Sequence, residues 1–226
     1  MSTDLLTYFN QRFSETTSTP SGTGKFVTIS RQTGCNGTII AEELTKALAR
    51  KGSHWKFINK EILEQSARKL KLEPSKLQYV FENKKKSHID DVISALSSRY
   101  YKSDKVVRKT ITEVLRYYAA AGNVIIVGRA GVATTRDMTG GLHIRLIAPF
   151  EWRYASLKER KKSENENLTT FIREHDINKN NLIRDFAGKS VEEIEFDLTI
   201  NCGVFTRQQV IDLILTAMEM KGITGP

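Results

Sequence analysis

Phe26-Val-Thr-Ile-Ser-Arg-Gln-Thr-Gly-Cys-Asn-Gly-Thr-Ile-Ile-Ala41 is the stretch on which the fold turns. It opens as a short apolar run, passes through a turn holding Gly34, Asn36 and Gly37, and continues as a helical pattern over Thr38–Arg50 with Ile40, Leu44 and Leu48 four apart. That order, strand then turn then helix, aims backbone N–H groups and the positive end of a helix dipole at one spot, which suits a phosphate. Gly34, Asn36 and Gly37 are residue types that tolerate the positive φ angles such a loop needs. The loop residues Thr33, Gly34, Cys35, Asn36, Gly37 and Thr38 are therefore the candidate phosphate-binding set, with the Thr38 hydroxyl placed to meet a phosphate-bound Mg²⁺. A short glycine-bearing turn between a strand and a helix also occurs without any ligand, so the loop needs support from the rest of the chain.

Outward from this stretch, short apolar runs alternate with longer helical ones. The further strand candidates are Trp55–Asn59, Asn123–Arg129, Leu142–Ala148 and Phe196–Cys202, beside Phe26–Ser30. Val124-Ile-Ile-Val is the clearest, a β-branched run of the kind covered on both faces. Helical patterns fall at Lys60–Leu70, with Asn59 as its N-cap, and at Lys105–Ala121, which stops at Gly122. Thr206-x-x-Gln209 reads as a capping box, opening a last helix with Val210, Leu213, Ile214 and Ala217 on its apolar face. Strands separated by helices predict a five-stranded parallel α/β sheet with helices on both faces. Ligands bind outside the carboxyl ends of such strands. Ahead of this domain, residues 1–24 read as a short amphipathic helix and a Ser/Thr/Gly/Pro linker.

At 226 residues the chain has the length of one domain with a real core. No apolar run approaches the roughly 18 residues of a membrane span. The N-terminus lacks the basic flank and apolar stretch of a signal peptide, so the cytoplasm is the expected compartment. Two cysteines, Cys35 and Cys202, make no disulfide framework. Cys35 sits at a helix N-terminus, a place that lowers a thiol pKa, although a plain small-residue role explains it as well. Cys202 ends an apolar strand and reads as core. The four histidines show no metal-ligand spacing with each other or with the cysteines. The net charge of +9 fits either a nucleic-acid surface or a small polyphosphate. Runs such as Lys84-Lys85-Lys86 are equally what solvated helix faces look like.

The loop departs from the strict phosphate-loop pattern G-x-x-x-x-G-K-[ST]. Aligned on Thr38, Arg31, Asn36 and Gly37 stand where that pattern has its two glycines and its lysine. Arg31 is the neighbouring cation able to stand in. Even so, Ile29-Ser-Arg-Gln-Thr-Gly-Cys-Asn-Gly resembles the opening motif of the cytidylate kinase-like family. Three later blocks are similar to that family in the same order: Val124-Ile-Ile-Val-Gly-Arg-Ala-Gly, Ile147-Ala-Pro-Phe-Glu-Trp-Arg153 and Asp197-Leu-Thr-Ile-Asn201.

The resemblance implies a nucleoside monophosphate kinase architecture over 25–226, with a nucleoside-monophosphate-binding insert near 60–110 and a helical lid near 150–190. It implies ATP and Mg²⁺ as cofactors and a nucleoside monophosphate as acceptor. Catalysis would then rest on positioning and on positive charge around the transferring phosphoryl. The matched positions make Arg31, Arg129 and Arg153 candidate catalytic cations, with Arg129 facing the acceptor phosphate. Asn59, Lys179 and Arg184 are the further candidate substrate contacts. Arg129 reads equally as a surface residue paired with an acid. Arg153, turned away from the Phe150, Tyr154 and Leu157 stripe of its helix, reads equally as solvent-exposed. The family's arginine positions in the lid appear here as Lys179 and Asn181, and its arginine after the loop glycines as Thr38. These losses leave open a nucleotide-binding relative with little turnover. A nucleic-acid-binding protein accounts for the charge but not for the ordered blocks.

Overall fold

The computed structural model describes residues 24–59, 112, 115–160 and 167–224. The expected helix at 60–70, the insert at 60–110 and nearly all of the N-terminal segment lie outside these residues.

Five strands form one parallel sheet in the order β2-β3-β1-β4-β5. They are β1 (Phe26–Arg31), β2 (Lys56–Ile58), β3 (Val124–Val127), β4 (Gly141–Ile147) and β5 (Leu198–Asn201). All five fall on the runs expected from the sequence. The central strand β1 lies between β3 and β4, with Phe26 opposite Val124 on one side and Gly141 on the other. Successive side chains of a strand point to opposite faces, and the core divides accordingly. Val27, Ile29, Ile125, Val127, Ile144 and Leu146 pack in one cluster with Ile40, Leu44, Leu48, Val210, Ile211 and Ile214. Phe26, Val124 and Ile126 turn the other way, onto Leu115 and Ala119 of the helical residues 115–121.

The first cluster brings in α1 (Gly37–Arg50) and α5 (Arg207–Met220). Thr206 and Gln209 form the expected capping box at the start of α5. Its buried stripe is Val210, Ile211, Ile214 and Met218, while Leu213 is 37% exposed. The sequence offers apolar residues on both flanks of that stripe, so periodicity alone does not say which flank meets the sheet. A short helix α2 (Gly131–Thr135) follows β3, and the Thr134 and Thr135 hydroxyls both donate to the Gly131 carbonyl.

Two helices, α3 (Phe150–Arg160) and α4 (Leu168–Ala187), complete the described part. Asn167 caps α4 by accepting from the Thr170 N–H, and Gly188 ends it with φ 71°. Among the described residues no helix is long and apolar enough to cross a membrane.

Candidate functional site

The loop between β1 and α1 is built on two left-handed residues, Gly34 (φ 102°) and Asn36 (φ 49°). At Gly34 a side chain would also meet Arg153, 2.8 Å from its Cβ and its carbonyl oxygen. Gly37, expected to need a positive φ, instead opens α1 with ordinary helical geometry. Its lack of a side chain serves close approach, because a Cβ there would lie 3.2 Å from Cγ and Cδ of Arg31. Arg31 continues past Gly37 to the end of β3, where any side chain at Gly128 would overlap its guanidinium. One arginine thus spans the β1–α1 loop and the turn after the neighbouring strand.

That turn is strained. Gly128 (φ 72°), Arg129 (φ 54°) and Ala130 (φ 53°) are left-handed in succession, closed by a Gly131 N–H to Gly128 carbonyl bond of 2.9 Å. The left-handed region costs a residue with a Cβ about 1–2 kcal/mol. Arg129 and Ala130 both carry that cost, at the rim where such sheets bind ligands.

Above the loop sit α3 and α4. Arg153 is neither solvent-exposed nor open to a ligand on all sides; it is 8% exposed and committed to protein partners. Its Nε donates to the Ala148 carbonyl at 3.1 Å, and Nη1 to the Thr33 carbonyl at 3.1 Å and to Asp176 Oδ2 at 2.6 Å. The second oxygen of Asp176 accepts the Thr33 backbone N–H at 2.7 Å. A carboxylate of α4 therefore already engages an N–H of the loop. Lys179, one helical turn further, donates to the Thr33 hydroxyl at 2.5 Å and lies 3.7 Å from Asp176. Burial, and then the nearby charge of Arg31, lower its pKa to about 8, against the opposing pull of Asp176. Ser156 of α3 donates to the Gly34 carbonyl at 3.0 Å and accepts from Asn36 Nδ2 at 3.2 Å. The other side-chain atom of Asn36, Oδ1, is buried with no partner.

Arg31, Arg129, Arg145 and Lys179 line one cleft of about 110 Å³, with Asp176 and Glu192 among its other walls. Sequence reasoning missed Arg145. It lies on β4 opposite Ser30, 4.0 Å from Glu192 and over the Phe196 ring. An arginine inside the apolar run Leu142-His-Ile-Arg-Leu-Ile was the available signal. A second cleft of about 380 Å³ opens beside the loop, with Cys35, Asn36, Trp152, Cys202, Val204 and Phe205 in its walls. Val204 and Phe205 are exposed apolar side chains, and neither they nor Trp152 had been singled out.

Cys35 and Cys202 are both buried in one core cluster and both reach the wall of this second cleft. The neighbouring Cys202, together with burial, pushes the Cys35 thiol well up, the reverse of the lowering expected from its place before a helix. The neighbouring Cys35 lowers the pKa of Cys202, against the opposing effect of burial.

The remaining candidates are dispersed. Thr38 is half-buried in the first turn of α1. Asn59 is buried at the end of β2, two strands away from the loop's own strand. Arg184 is exposed and donates to Asn181 at 2.6 Å. Among the described residues no group of three or more His, Cys, Asp or Glu side chains could hold a metal ion.

The model of the cytidylate kinase-like family matches residues 26–203, from β1 to just past β5. No curated protein sequence matches the chain. Among solved structures, an uncharacterized protein from Eubacterium ventriosum is similar with a TM-score of 0.62 at 13% identity, over 86% of this chain and 98% of that one. A shikimate kinase from Acinetobacter baumannii is similar with a TM-score of 0.48 at 16% identity, over 89% and 96%. At 13% identity the likeness to the first of these is one of fold alone.

Proposed function

Because this chain belongs to the cytidylate kinase-like family, we propose that it is a phosphotransferase moving the γ-phosphoryl of ATP to a nucleoside monophosphate. The observation that carries this reading is the convergence of Arg31, Arg129, Arg145 and Lys179 on one cleft at the carboxyl ends of the strands. Three guanidiniums and an ammonium around one small volume match a group whose charge is spread over several oxygens. The loop adds backbone donors, and Asp176 on the Thr33 N–H marks a position that already accepts a negatively charged oxygen.

Each cation then has a task. Arg31 lies against Gly37, where a phosphate loop carries its lysine, and would hold the β- and γ-phosphates with a fixed two-pronged fork. Lys179 supplies the mobile point charge from the opposite side, already bonded to a loop hydroxyl. Arg129, held in the strained turn, would meet the acceptor phosphate. Arg153 keeps α3 and the loop in register through its two carbonyl bonds, and acts as a positioning residue. In the second cleft, Trp152, Val204 and Phe205 offer an apolar slot for a nucleobase.

The donor set fits a metal that arrives with the nucleotide rather than one caged by protein. Mg²⁺ usually keeps its waters and is bound through substrate phosphates, and the Thr38 hydroxyl would be the loop's ligand for it. The helices α3 and α4 would serve as the lid. The 110 Å³ cleft is well below the roughly 300–1,000 Å³ of small-molecule sites, so α4 has to lift Asp176 off Thr33 to admit substrates. Closure over bound nucleotide would then exclude water from the transfer.

A nucleotide-binding relative with little turnover is the second reading, favoured by Gly37 in the lysine position and by Asp176 on the loop. A panel of nucleoside triphosphates with Mg²⁺ and monophosphates, followed by calorimetry and by product detection, separates the two. Product formation with one monophosphate is expected. Binding without product would favour the second reading, and no binding at all would remove both.

A further inference from the structure

Arg145 stands where the strand pattern calls for an apolar side chain. Its neighbours along β4, Ile144 and Leu146, are fully buried, and the strand runs between β1 and β5 in the interior of the sheet. By alternation Arg145 points away from the cluster that takes those two residues. Its side chain is 23% exposed and lines the cleft shared by Arg31, Arg129 and Lys179. The protein holds it only loosely. The Phe196 ring lies 5.6 Å from the guanidinium, and Glu192 Oε1 is 4.0 Å from Nη2, beyond the roughly 2.7–3.2 Å of a hydrogen bond. Neither kind of contact is worth much at a site open to water. Packing therefore does not account for an arginine at this place in a strand.

Glu192 sits in the short turn Val191–Glu193 that follows α4, with its side chain 68% exposed. A carboxylate so well hydrated can leave Arg145 at little cost. In the described walls of the cleft, four cations face two carboxylates, Asp176 and Glu192. Both oxygens of Asp176 are engaged, one by the Thr33 N–H and the other by Arg153. Glu192 is thus the counter-charge that an incoming anion can replace. Arg129 and Arg145 also flank the central strand, since Arg129 follows β3, Arg145 lies on β4, and β1 runs between them. At about 4.8 Å per strand the two backbones stand roughly 9–10 Å apart, a span that a phosphate gripped from both sides by guanidinium forks would fill. Ser30, the register partner of Arg145 on β1, lines the same cleft, and its small side chain keeps room between the two arginines.

We propose that Arg145 is the second arginine of the acceptor site, gripping the dianionic phosphate monoester of the acceptor from the side opposite Arg129, with Glu192 as the counter-ion that this phosphate displaces. The assignment rests on the nucleotide reading above and adds a substrate contact which that reading leaves out. No covalent bond changes; one oxyanion replaces another on the same guanidinium. A phosphate dianion brings more charge than a carboxylate and offers two oxygens to the fork, so it wins the exchange. Glu192 then opposes acceptor binding, and removing its charge favours the acceptor. A nucleoside without the phosphate has no group to displace Glu192, so the pair selects for phosphorylated acceptors. Triphosphate held by Arg31 and the loop does not depend on it.

The test uses the full chain and calorimetric titration with CMP, UMP, AMP and GMP, with the four parent nucleosides, and with ATP–Mg²⁺. Arg145→Gln should weaken the tightest of the monophosphates by about tenfold to a hundredfold, the range for a hydrogen bond to a charged group. It should leave the affinities for ATP–Mg²⁺ and for the nucleosides within about twofold. Arg145→Lys, which keeps the charge but not the fork, should lose less. Glu192→Gln should act in the opposite direction and tighten the same monophosphate about threefold. Should Arg145→Gln fail to fold in a melting curve, Glu192→Gln decides alone, tightening in support and weakening against. If both variants weakened the monophosphate, the pair would be a structural bridge and the proposal would fall. An equal loss for the nucleoside would move Arg145 to the sugar or base and overturn the phosphate contact. Unchanged monophosphate affinity in Arg145→Gln would remove Arg145 from the acceptor site and leave the nucleotide reading standing. Wild-type protein that binds ATP–Mg²⁺ but none of the four monophosphates would overturn the acceptor site, and binding of neither would sink the nucleotide reading with it.

Discussion

Arg31 and Lys179 line the same cleft beside the β1–α1 loop, and each makes a separate prediction. Arg31→Ala should weaken triphosphate binding by about 1.5–3 kcal/mol, the usual worth of a hydrogen bond to a charged group. Calorimetry measures this, with a melting curve to show that the variant is folded; equal affinities would remove Arg31 from the site. Restoring the lysine by Gly37→Lys should fail, because its Cβ would press on the Arg31 stem at 3.2 Å. Lys179 is expected to write itself into the pH profile. Its pKa of about 8 means that the cation is present below that pH and lost above it. Triphosphate affinity should therefore fall as pH rises through about 8, and Lys179→Arg, which stays charged, should flatten the profile. An unchanged slope in that variant would assign the titration elsewhere.

Between elements, two buried polar contacts hold the architecture. Asp176 ties α4 to the loop and to Arg153 of α3. Removing it leaves the largely buried Arg153 guanidinium without its counter-charge, so Asp176→Ala should cost about 3–5 kcal/mol in urea unfolding. The double replacement Asp176→Leu with Arg153→Met should recover part of that loss, since no stranded charge remains. If the double variant were no more stable than the single one, the loss would have to be assigned to something other than a stranded charge.

Two residues before Arg145 on β4, His143 is 1% exposed and meets the Thr28 hydroxyl at 2.8 Å. Burial lowers its pKa from 6.5 to about 4, with Arg136 and Lys221 pushing the same way and Asp197 opposing. Between those two values the unfolded chain binds the proton and the folded chain does not, so stability rises with pH across that window. The contribution is complete above about pH 6.5 and is lost as pH falls toward 4, about 3 kcal/mol in all. His143→Gln should remove this part of the acid slope.

For the molecule as a whole, binding and stability are linked. A triphosphate with Mg²⁺ at about a hundred times its dissociation constant should add about 2.7 kcal/mol. In a domain of this size that is on the order of 5–11 °C in melting temperature. On the proposed reading the same ligand would have to part Asp176 from the Thr33 N–H to enter, so association should be slower than for a preformed pocket. Asp176→Asn keeps the side chain's shape but weakens its grip on Thr33 and Arg153, and stopped-flow association should be faster in it. Flat melting curves across all triphosphates at millimolar concentration would count against a nucleotide site altogether.

The strands, the capping box and the loop could be read directly from the residues, because each depends on local rules. Alternation and β-branching place the sheet, Thr206 and Gln209 cap their own helix, and Gly34 and Asn36 supply the backbone angles of their own turn. The sequence also named Arg31, Arg129 and Lys179, since motif spacing survives in one dimension. It could not show that Arg153 is buried or that Arg184 is exposed, because helix faces are assigned by what packs on them. Nor could it bring Arg145 to the cleft, Asp176 to the Thr33 N–H, or Cys35 and Cys202 into one core cluster. Those pairs join residues far apart in the chain. Their chemistry exists only once the parallel sheet sets the carboxyl ends of β1, β4 and β5 side by side and α3 and α4 fold down across them.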